Sequence, residues 1–560
     1  MAALRSALFA AFAAALAAAV ASAASLAPSS SPAKAPQPPP ASASAASLVD
    51  LGVEAYAFLF PLVLVDTTRQ HDPLVHKPNH LFSSPIFVPP LIHEVVRPNV
   101  DTLYTLAWLN LTAEPVVLSV PDTAGAYYVL QLLDLWSSTF AAPGKRTTGT
   151  TAQSFVICGP RAKLCLPTPP QQEEHEENPQ QQQQQQQEQQ QQEQQQQHQQ
   201  LGAAAGSAGL TDGLTVLCSP TEDVWMIGRT QCNGTADYAA VHAIQKGYKL
   251  LPLSQWHEQQ QQQQQQEEEE EGEEEQEEQQ HGAGANTGAE QAAAPAAPPC
   301  SRAAAPLGTA PDIVAAMDAE AFFTAGAALL ARNPPTADDA PFLRRVYGPL
   351  GLPTDGSPLA WAALPQAARA ALNASLPLAQ AAIAANASAI GNTTVNGWKL
   401  SSPDIGAYGT DYALRAAVGV WGLGANLPAD AVYIKGSAPF ESGDAFSLTF
   451  AAPAPAGGAN NTAPPVRAFW SVTAYDSASY LAHNALGRYA LHDWDPLVYA
   501  PDGSLTLYLG AKRPPAPACP EANWLPTPAD GGNWTLLVRL YWPEDAAIAG
   551  SWRMPPLVRM

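Results

Sequence analysis

The chain has 560 residues and a formal net charge of −23, but its acidic residues are unevenly distributed. Two polar tracts, residues 171–200 and 258–290, hold 18 of the 50 Asp and Glu residues and none of the 27 Lys and Arg residues, so the remainder carries a charge of only −5. The sequence contains no basic footprint typical of a nucleic-acid interface, which excludes nucleic-acid binding as the main role, while its 46% of hydrophobic residues is enough for a large core.

The amino-terminal segment has the pattern of a secretory signal. A short positive stretch, Met1–Arg5, precedes the apolar run Ser6–Val20, and Ala21-Ser22-Ala23 fits a small-residue cleavage site. We therefore expect residues 1–23 to be removed, residues 24–46 to form a Pro/Ser-rich linker, and the protein to be secreted or to reside in an endomembrane lumen. A membrane anchor and a plastid transit peptide are the alternatives, and membrane contact is expected only if this segment is not cleaved.

Two further features agree with secretion. The better Asn-x-Ser/Thr acceptors for glycosylation, in polar or loop-adjacent sequence, are Asn373, Asn386, Asn392 and Asn460. The six cysteines permit disulfide bonds, with Cys158–Cys165 and Cys218–Cys232 as plausible local pairs, although the sequence leaves the connectivity open.

Residues 47–256 are predicted to be mainly β after one helix. Helical spacing of apolar residues marks Ser47–Asp66, which Pro61 should kink or end. Short β-rich runs between turn signals predict the strands Leu103–Asn110, Val116–Val120, Ala126–Leu133, Ser154–Cys158, Leu214–Leu217 and Asp223–Thr230. Another helix is expected at Asp237–Gly247.

The Gln/Glu-rich tracts interrupt this pattern twice. Such runs bury too little apolar surface to offset the chain entropy that folding removes, so residues 167–208 and 257–308 are predicted to be disordered insertions. Both fall between recognisable elements, where added loop length has a small effect on stability.

Residues 309–425 switch to helical periodicity, and residues 426–560 return to short strands. The predicted helices are Asp312–Arg332, Ala337–Val346, Leu359–Leu372, Leu376–Ile390 and Tyr408–Gly419. The predicted strands are Phe446–Phe450, Val466–Tyr475, Ser504–Leu509 and Trp534–Leu540. The expected fold class is therefore mainly β with α, in which two antiparallel β-sandwich-like domains are separated by a helical segment.

Several motifs in order along the chain resemble a known pair of domains. The first half resembles domain of unknown function 1254 at Arg97-Pro98-Asn99-Val100-Asp101-Thr102-Leu103-Tyr104 and at Lys145-Arg146-Thr147-Thr148-Gly149. The end of the chain resembles domain of unknown function 1214 at Phe469-Trp470-Ser471-Val472-Thr473-Ala474-Tyr475-Asp476, Asn523-Trp524-Leu525-Pro526 and Arg539-Leu540-Tyr541. The resemblance implies a secreted or periplasmic protein with β-rich end domains and helices between them, and it implies no particular activity.

The polar residues of the first motif region are candidate site residues. Asn99 and Asp101 follow Pro98, which favours an Asx turn before the next strand; alternatively they form the edge of a site together with Tyr104. Asp134, at a strand end, is expected either to be buried and paired with Lys145 or Arg146, or to bind a substrate.

Later candidates lie in the helical segment and the last β region. Asp411 and Arg415 are four residues apart on a predicted helix, as a surface pair or as a pocket lining. Asp476, Asn484 and Arg488 form a polar cluster in which Arg488 either binds an anion or pairs with Asp476 or Asp502. Trp524 either packs a loop or stacks on a sugar.

The histidine spacings fit no metal-binding motif, so neither a metal site nor a cofactor is predicted.

Two functions remain open. In the slightly preferred hypothesis, this is a binding or surface protein for a glycan or a small molecule. In the alternative it is a secreted hydrolase with a cleft between the β domains and the helices, where Asp101 or Asp134 is the general acid or base, Tyr104 donates a hydrogen bond, and Arg415 or Arg488 holds an anion. Convergence of these side chains on one concave pocket favours the enzyme. The sequence predicts no particular oligomeric state.

Overall fold

The computed structural model describes most of the chain after residue 44. The described residues are 45–75, 77–90, 97–165, 213–277, 309–391, 393–400, 403–436, 440–441, 443–452, 463–481, 483–515, 519–529 and 532–560. Several predicted features lie outside them: the signal segment 1–23, the insertion 167–208, the second insertion after residue 277, and the sequons at Asn392 and Asn460.

The first sandwich packs one sheet, sheet A, onto another, sheet B. Its strands are β1 (Phe82–Ser83), β2 (Thr102–Asn110), β3 (Val116–Val120), β4 (Tyr128–Asp134), β5 (Thr139–Ala141), β6 (Gln153–Cys158), β7 (Thr215–Cys218), β8 (Asp223–Gln231) and β9 (Lys249–Pro252). Sheet A has the order β1-β2-β8-β4-β5, and sheet B has the order β7-β6-β3-β9. Alternate residues of a strand point to opposite faces, so Leu109 and Leu130 of sheet A meet Leu118 and Phe155 of sheet B in a buried core.

The described part of the chain contains helices in several places, and one group of them, built around the first helix, forms a layer beside sheet A. The helices are α1 (Ala45–His71), α2 (Tyr238–Gly247), α3 (Leu253–Glu277), α4 (Ala310–Ala315), α5 (Ala319–Leu330), α6 (Ala340–Leu350), α7 (Gln366–Ala389), α8 (Tyr412–Gly422) and α9 (Asp545–Ile548). Helix α1 contacts each of α4 to α8, and Phe58 and Leu62 on it are fully buried. Trp108 and Trp136 of the first sandwich join the same core.

The second sandwich packs sheet C onto sheet D. Its strands are β10 (Thr394–Val395), β11 (Trp398–Leu400), β12 (Ala431–Gly436), β13 (Phe446–Phe450), β14 (Val466–Asp476), β15 (Ala490–His492), β16 (Leu505–Gly510), β17 (Trp524–Pro526), β18 (Trp534–Pro543) and β19 (Leu557–Arg559). Sheet C has the order β10-β11-β12-β18-β14-β15, and sheet D has the order β17-β16-β13-β19. Trp398, Trp470 and Val538 of sheet C meet Leu507 of sheet D in the core.

The predicted fold class, mainly β with α and built from two sandwiches, is confirmed. Two edge pairs depart from the predicted antiparallel arrangement, because β6–β7 and β16–β17 are parallel. Parallel neighbours need a long connection, and both pairs have one: β6 and β7 are separated by the first insertion, and β16 ends well before β17 begins.

Several helices begin or end at residues other than those predicted. Helix α1 continues past Pro61 to His71, because packing on all sides compensates for the hydrogen bond that proline removes. The helices predicted at Leu359–Leu372 and Leu376–Ile390 are joined in the single helix α7, which also contains Pro377. The predicted helix Asp312–Arg332 is instead divided into α4 and α5, where the Asp318 carboxylate caps α5 by accepting a hydrogen bond from the Ala321 amide at 2.8 Å.

Helix α3 extends into the second predicted insertion as far as Glu277. Its first turn packs against sheet B through Leu253 and Trp256, and the following Gln and Glu residues have high helix propensity. The helix can therefore continue beyond its anchored turn without an apolar face.

Residues Ser47–His71 of α1 are long and apolar enough to cross a membrane, by length and composition only, but most of this segment is buried inside the protein.

The disulfide bond joins Cys165 to Cys218, which contradicts both predicted local pairs. The parallel pairing of β6 with β7 brings Cys218 close to the short helix Lys163–Cys165, although the two cysteines are 53 residues apart in sequence. Among the described cysteines, Cys158, Cys232 and Cys519 are free and buried.

We expect the substitution Leu62→Ala to lower the free energy of unfolding by about 2–5 kcal/mol, because it leaves a cavity at the centre of the helical core. The matched control is Leu378→Ala on α7, where the leucine is 47% exposed, and its effect should stay within about 0.5 kcal/mol. Urea denaturation followed by circular dichroism measures both. Equal losses in the two variants would show that α1 is not the core of this layer.

Candidate functional site

A cavity of about 810 Å³ lies between the two sandwiches. Its walls are the outer faces of sheets A and C, meaning the faces turned away from their own cores, together with α7 and α8. Strand alternation explains the sheet C wall: Leu536 and Val538 of β18 point into the core, so Leu537 and Arg539 point outward into the cavity. By the same alternation, Tyr104 and Arg229 project from sheet A.

The helical side of the cavity is mainly apolar, although Thr68, Thr309 and Ser388 also line it, and it reaches the protein surface. Ala387 and Ile390 line it near the end of α7, and Leu423 lines it just after α8. Val420 of α8 is 44% exposed and also lines the cavity, so the opening lies beside this residue.

All the charged side chains among the described residues of the lining are cationic. The cationic residues on it are Arg97, Arg229, Lys399, Lys435 and Arg539, and none of its described residues is an Asp or a Glu. Across the described chain, only Arg539 of these five has a carboxylate oxygen within 4.0 Å, namely Oδ2 of Asp101 at 3.9 Å from its Nε. Burial lowers the pKa of Lys435, and the neighbouring charges of Arg97 and Lys399 lower it further.

Neutral groups fix the position of Arg229 without neutralising it. Its guanidinium donates to Gln131 Oε1 at 2.8 Å, to Asn426 Oδ1 at 2.6 Å and to the Gly424 carbonyl at 3.2 Å. It also lies 5.4 Å from the ring centroid of Tyr104. The full positive charge is therefore available to a ligand.

Arg539 is oriented by three neutral acceptors on the opposite wall. It donates to Thr473 Oγ1 at 2.9 Å, to the Tyr475 hydroxyl at 2.7 Å and to the Arg97 carbonyl at 3.1 Å. Arg539 is only 3% exposed.

Asp101 connects the two sandwiches and is completely buried. Its carboxylate accepts hydrogen bonds from Ser471 Oγ at 2.9 Å, from the Tyr541 hydroxyl at 3.0 Å and from His492 Nε2 at 3.0 Å. Burial alone would raise the pKa of Asp101, but the His492 hydrogen bond and the charge of Arg539 outweigh it and lower that pKa. The candidate catalytic acid is thus an ionised group between the two sandwiches, and it does not line the cavity.

Asn99 forms the predicted Asx turn and also lines the cavity. Its Oδ1 accepts from the amides of Asp101 at 2.6 Å and Thr102 at 3.2 Å. Its Nδ2 donates to the hydroxyls of Thr102 at 2.8 Å, Tyr541 at 3.3 Å and Tyr104 at 3.4 Å. Asn99 and Tyr104 are therefore the candidate residues that the structure brings to the cavity.

Asp134 and its expected partners lie elsewhere. Asp134 accepts a hydrogen bond from the Ser138 amide at 2.8 Å in the turn to β5, and burial raises its pKa to about 6. The predicted pairing is wrong, because Arg146 reaches Asp430, 284 residues away, at 2.7 Å, while Lys145 donates to the Gly125 carbonyl.

Asp411 and Arg415 do not pair with each other either. Asp411 caps α8, since its carboxylate accepts a hydrogen bond from the Leu414 amide at 2.9 Å. Arg415 is buried in the helical core, where its guanidinium carbon lies 5.0 Å from the ring centroid of Trp136 and 5.7 Å from that of Phe58.

The candidates of the last β region stabilise loops. Asp476 accepts from the amides of the turn that follows it, and Asn484 bonds the backbone of Arg488. Arg488 donates to the carbonyls of Glu521 at 2.6 Å and Trp524 at 2.9 Å, so it pairs with neither Asp476 nor Asp502. The indole of Trp524 donates to the Gly510 carbonyl at 2.9 Å.

The two described glycosylation candidates, Asn373 and Asn386, are exposed but lie within α7. Both side chains are exposed on this helix, which is continuous from Gln366 to Ala389. Glycosylation itself stays a prediction.

Sequence reasoning missed most of the cationic lining. Arg229, Lys399, Lys435 and Arg539 each sit on or beside a strand rich in buried residues. The signal that could have identified these residues is a single cation within an apolar strand. A buried charge with no opposite charge nearby in sequence needs a counter-charge from elsewhere in the fold or from a ligand.

Two family models match separate parts of this chain. The model described as "Protein of unknown function (DUF1254)" matches residues 78–252, and the model described as "Protein of unknown function (DUF1214)" matches residues 438–545. The chain therefore contains both domains, in the predicted order. The cavity takes Tyr104 and Arg229 from the DUF1254 domain, Arg539 from the DUF1214 domain, and Lys399 and Lys435 from the segment between them.

The fold is similar to that of a solved bacterial protein. The VPA0106 protein from Vibrio parahaemolyticus is 17% identical with a TM-score of 0.57, covering 92% of this chain and 100% of its own. An uncharacterised protein from Burkholderia cenocepacia is 10% identical with a TM-score of 0.36, covering 92% of this chain and 94% of its own. A search of the curated proteins found no match.

We expect Asp101→Asn to lower the free energy of unfolding by roughly 3–5 kcal/mol, because it leaves His492 and Arg539 without their buried counter-charge. Asp338→Asn, at an exposed position in the short 3-10 helix Ala337–Asp339, is the control and should have almost no effect. Chemical denaturation of both variants checks this. If the Asp101→Asn protein were as stable as the wild type, the ion pair of Asp101 would not be what links the two sandwiches.

The same ion pair predicts a pH dependence of stability. Burial lowers the pKa of His492, but its hydrogen bonds to Asp101 and Asp495 outweigh burial and raise that pKa to about 9. A histidine whose pKa is higher in the folded state contributes its full stabilisation below about pH 6.5 and loses it as the pH rises through 9, a change of roughly 3 kcal/mol. Asp101, with a lowered pKa, loses its contribution only at acidic pH.

His492→Gln should therefore flatten the decline in unfolding free energy between pH 6.5 and 9, whereas His80→Gln at an exposed position should retain the wild-type profile. Denaturation series across this pH range measure both. An unchanged slope in His492→Gln would contradict the assignment.

Proposed function

We propose that this protein binds a small organic anion in the cavity between sheets A and C. The observation that carries the proposal is the lining itself, with five cationic side chains and no Asp or Glu among its described residues. Clustered charges in a partly desolvated cavity destabilise a protein unless a counter-charge is supplied, and a bound anion supplies it. The volume of about 810 Å³ suits a small molecule.

The cavity offers such a ligand two different surfaces. Arg97, Lys435 and Arg539 stand on and around the sheet C wall, whereas Ile390 and Leu423 lie on the helical side. An anionic group would be held at the first surface, and the carbon skeleton of the ligand would pack against the second. The restrained positions of Arg229 and Arg539 favour binding, since little side-chain entropy remains to be lost.

The geometry supports binding better than the hydrolase alternative. The carboxylates proposed as general acid or base, Asp101 and Asp134, are buried and neither lines the cavity. The proposed anion-binding residues of that alternative, Arg415 and Arg488, are engaged in the helical core and in a loop. A glycan-binding role for Trp524 has less support than the cationic cavity, because its indole N–H is used within the fold.

We also propose that binding takes place in a secretory or extracellular compartment. The disulfide Cys165–Cys218 supports this location, because such bonds persist in oxidising compartments. The signal-like segment 1–23 is the other support.

Filling the cavity should abolish binding. Gly422 is the last residue of α8 and lines the cavity, and a Cβ added there would meet no atom within 4 Å. We expect Gly422→Trp to weaken the binding of benzoate or phenyl phosphate by at least about tenfold, measured by isothermal titration calorimetry. Benzamide, which lacks the charge, should bind the wild type more weakly than benzoate.

The control is Gly348→Trp on α6, where a Cβ also meets nothing within 4 Å but which lies outside the cavity. It should bind as the wild type does. Wild-type protein that binds neither anion, or Gly422→Trp protein that binds as well as Gly348→Trp protein, would refute the proposal.

A further inference from the structure

Two lysines face each other on the sheet C wall of the cavity. Lys399 of β11 and Lys435 of β12 are direct cross-strand partners in the antiparallel register. Their neighbours Trp398 and Ile434 point into the core, so both lysines project from the outer face and line the cavity. Like charges directly opposite each other destabilise a sheet, and among the described residues no carboxylate lies within salt-bridge distance of either lysine.

Arg97 adds a third cation to this pair. Its charge, with that of Lys399, helps to lower the pKa of Lys435, so both charges disfavour the charged form of that lysine. Nε of Arg97 is buried and has no hydrogen-bond partner in the described part of the protein.

The backbone holds Arg97 in an uncommon conformation. Its φ is 50°, in the left-handed region, its amide donates to the Ser479 carbonyl at 2.7 Å, and its carbonyl accepts from Arg539. Strained positions that the surrounding structure enforces are concentrated at functional sites. The fold therefore places Arg97, Lys399 and Lys435 on the lining of one cavity, with the charges of the first two acting on the third.

We infer that this part of the lining binds the head group of a phosphate monoester whose apolar body lies along the helical side. The inference rests on the proposed function and deepens it by naming the ligand class. A single carboxylate would leave the cluster with two uncompensated charges, whereas a phosphate monoester carries nearly two negative charges at pH 7 and three strong acceptor oxygens. Cross-strand partners lie close together, so Lys399 and Lys435 converge on one compact group better than on two separated ones.

The experiment compares three ligands that share a phenyl body and differ in the head group. Phenyl phosphate carries nearly two charges, phenyl sulfate has the same tetrahedral shape with one charge, and benzoate has one charge on a planar group. We expect the full-length wild type to bind phenyl phosphate at least about tenfold more tightly than phenyl sulfate in isothermal titration calorimetry at pH 7.5. Lowering the pH to 5 should reduce this preference, because the phosphate group takes up its second proton near pH 6.

Variants of the lysine pair make the inference specific. Lys435→Gln and Lys399→Gln should each reduce the preference for phenyl phosphate over phenyl sulfate to less than about threefold, while Lys512→Gln at an exposed position should leave it unchanged. In the absence of ligand, the first two variants should be at least as stable to urea as the wild type, because they relieve repulsion. This second measurement separates a lost binding group from a damaged fold.

The possible failures are distinguishable. All three ligands could bind the wild type with equal affinity, and both lysine variants could weaken the binding of each ligand equally. That result would support the proposed anion-binding cavity and overturn the phosphate inference. The inference is also overturned if the preference for phenyl phosphate persists in both lysine variants. If none of the three ligands binds the wild type, both the inference and the proposed function fall.

Discussion

The ionised Asp101 carboxylate is the interaction on which the rest of this structure depends. It precedes strand β2 of the first sandwich, and its hydrogen-bond donors come from β14, β15 and β18 of the second. A buried charge of this kind tolerates little displacement, because each lost donor leaves part of the desolvation penalty uncompensated. Sheets A and C are therefore held at a defined separation beside it, and the cavity is the space that remains between them and the helices.

The charge of the cavity follows from where its cations stand. They lie on or beside strands whose alternate residues fill the two sandwich cores, so the same alternation that buries Val538 presents Arg539 on the opposite face. The outer faces of sheets A and C are shielded from solvent, because the helices and the facing sheet enclose them. The side chains there are consequently desolvated enough to interact strongly with a bound ion.

Local patterns predicted the local features of this fold well. The short β-rich runs identified β3 and β13 with their observed limits, and the Pro98–Asn99 signal identified the Asx turn before β2. The same reasoning failed where a partner lies far away in sequence. Arg146 pairs with Asp430, and Cys165 pairs with Cys218 rather than with a nearer cysteine. Nothing in a local window records that sheets A and C face each other, so the site could be recognised only in part, through Asn99 and Tyr104.

The Cys165–Cys218 bond has a consequence for the insertion that it encloses. The covalent link and the pairing of β6 with β7 fix both ends of a long, glutamine-rich segment at the edge of sheet B. Gain or loss of glutamine codons between these cysteines would alter neither anchor point, and a protease cut between them would leave the two fragments joined. A change in the length of this segment would thus leave the Cys165–Cys218 bond and the β6–β7 pairing in place.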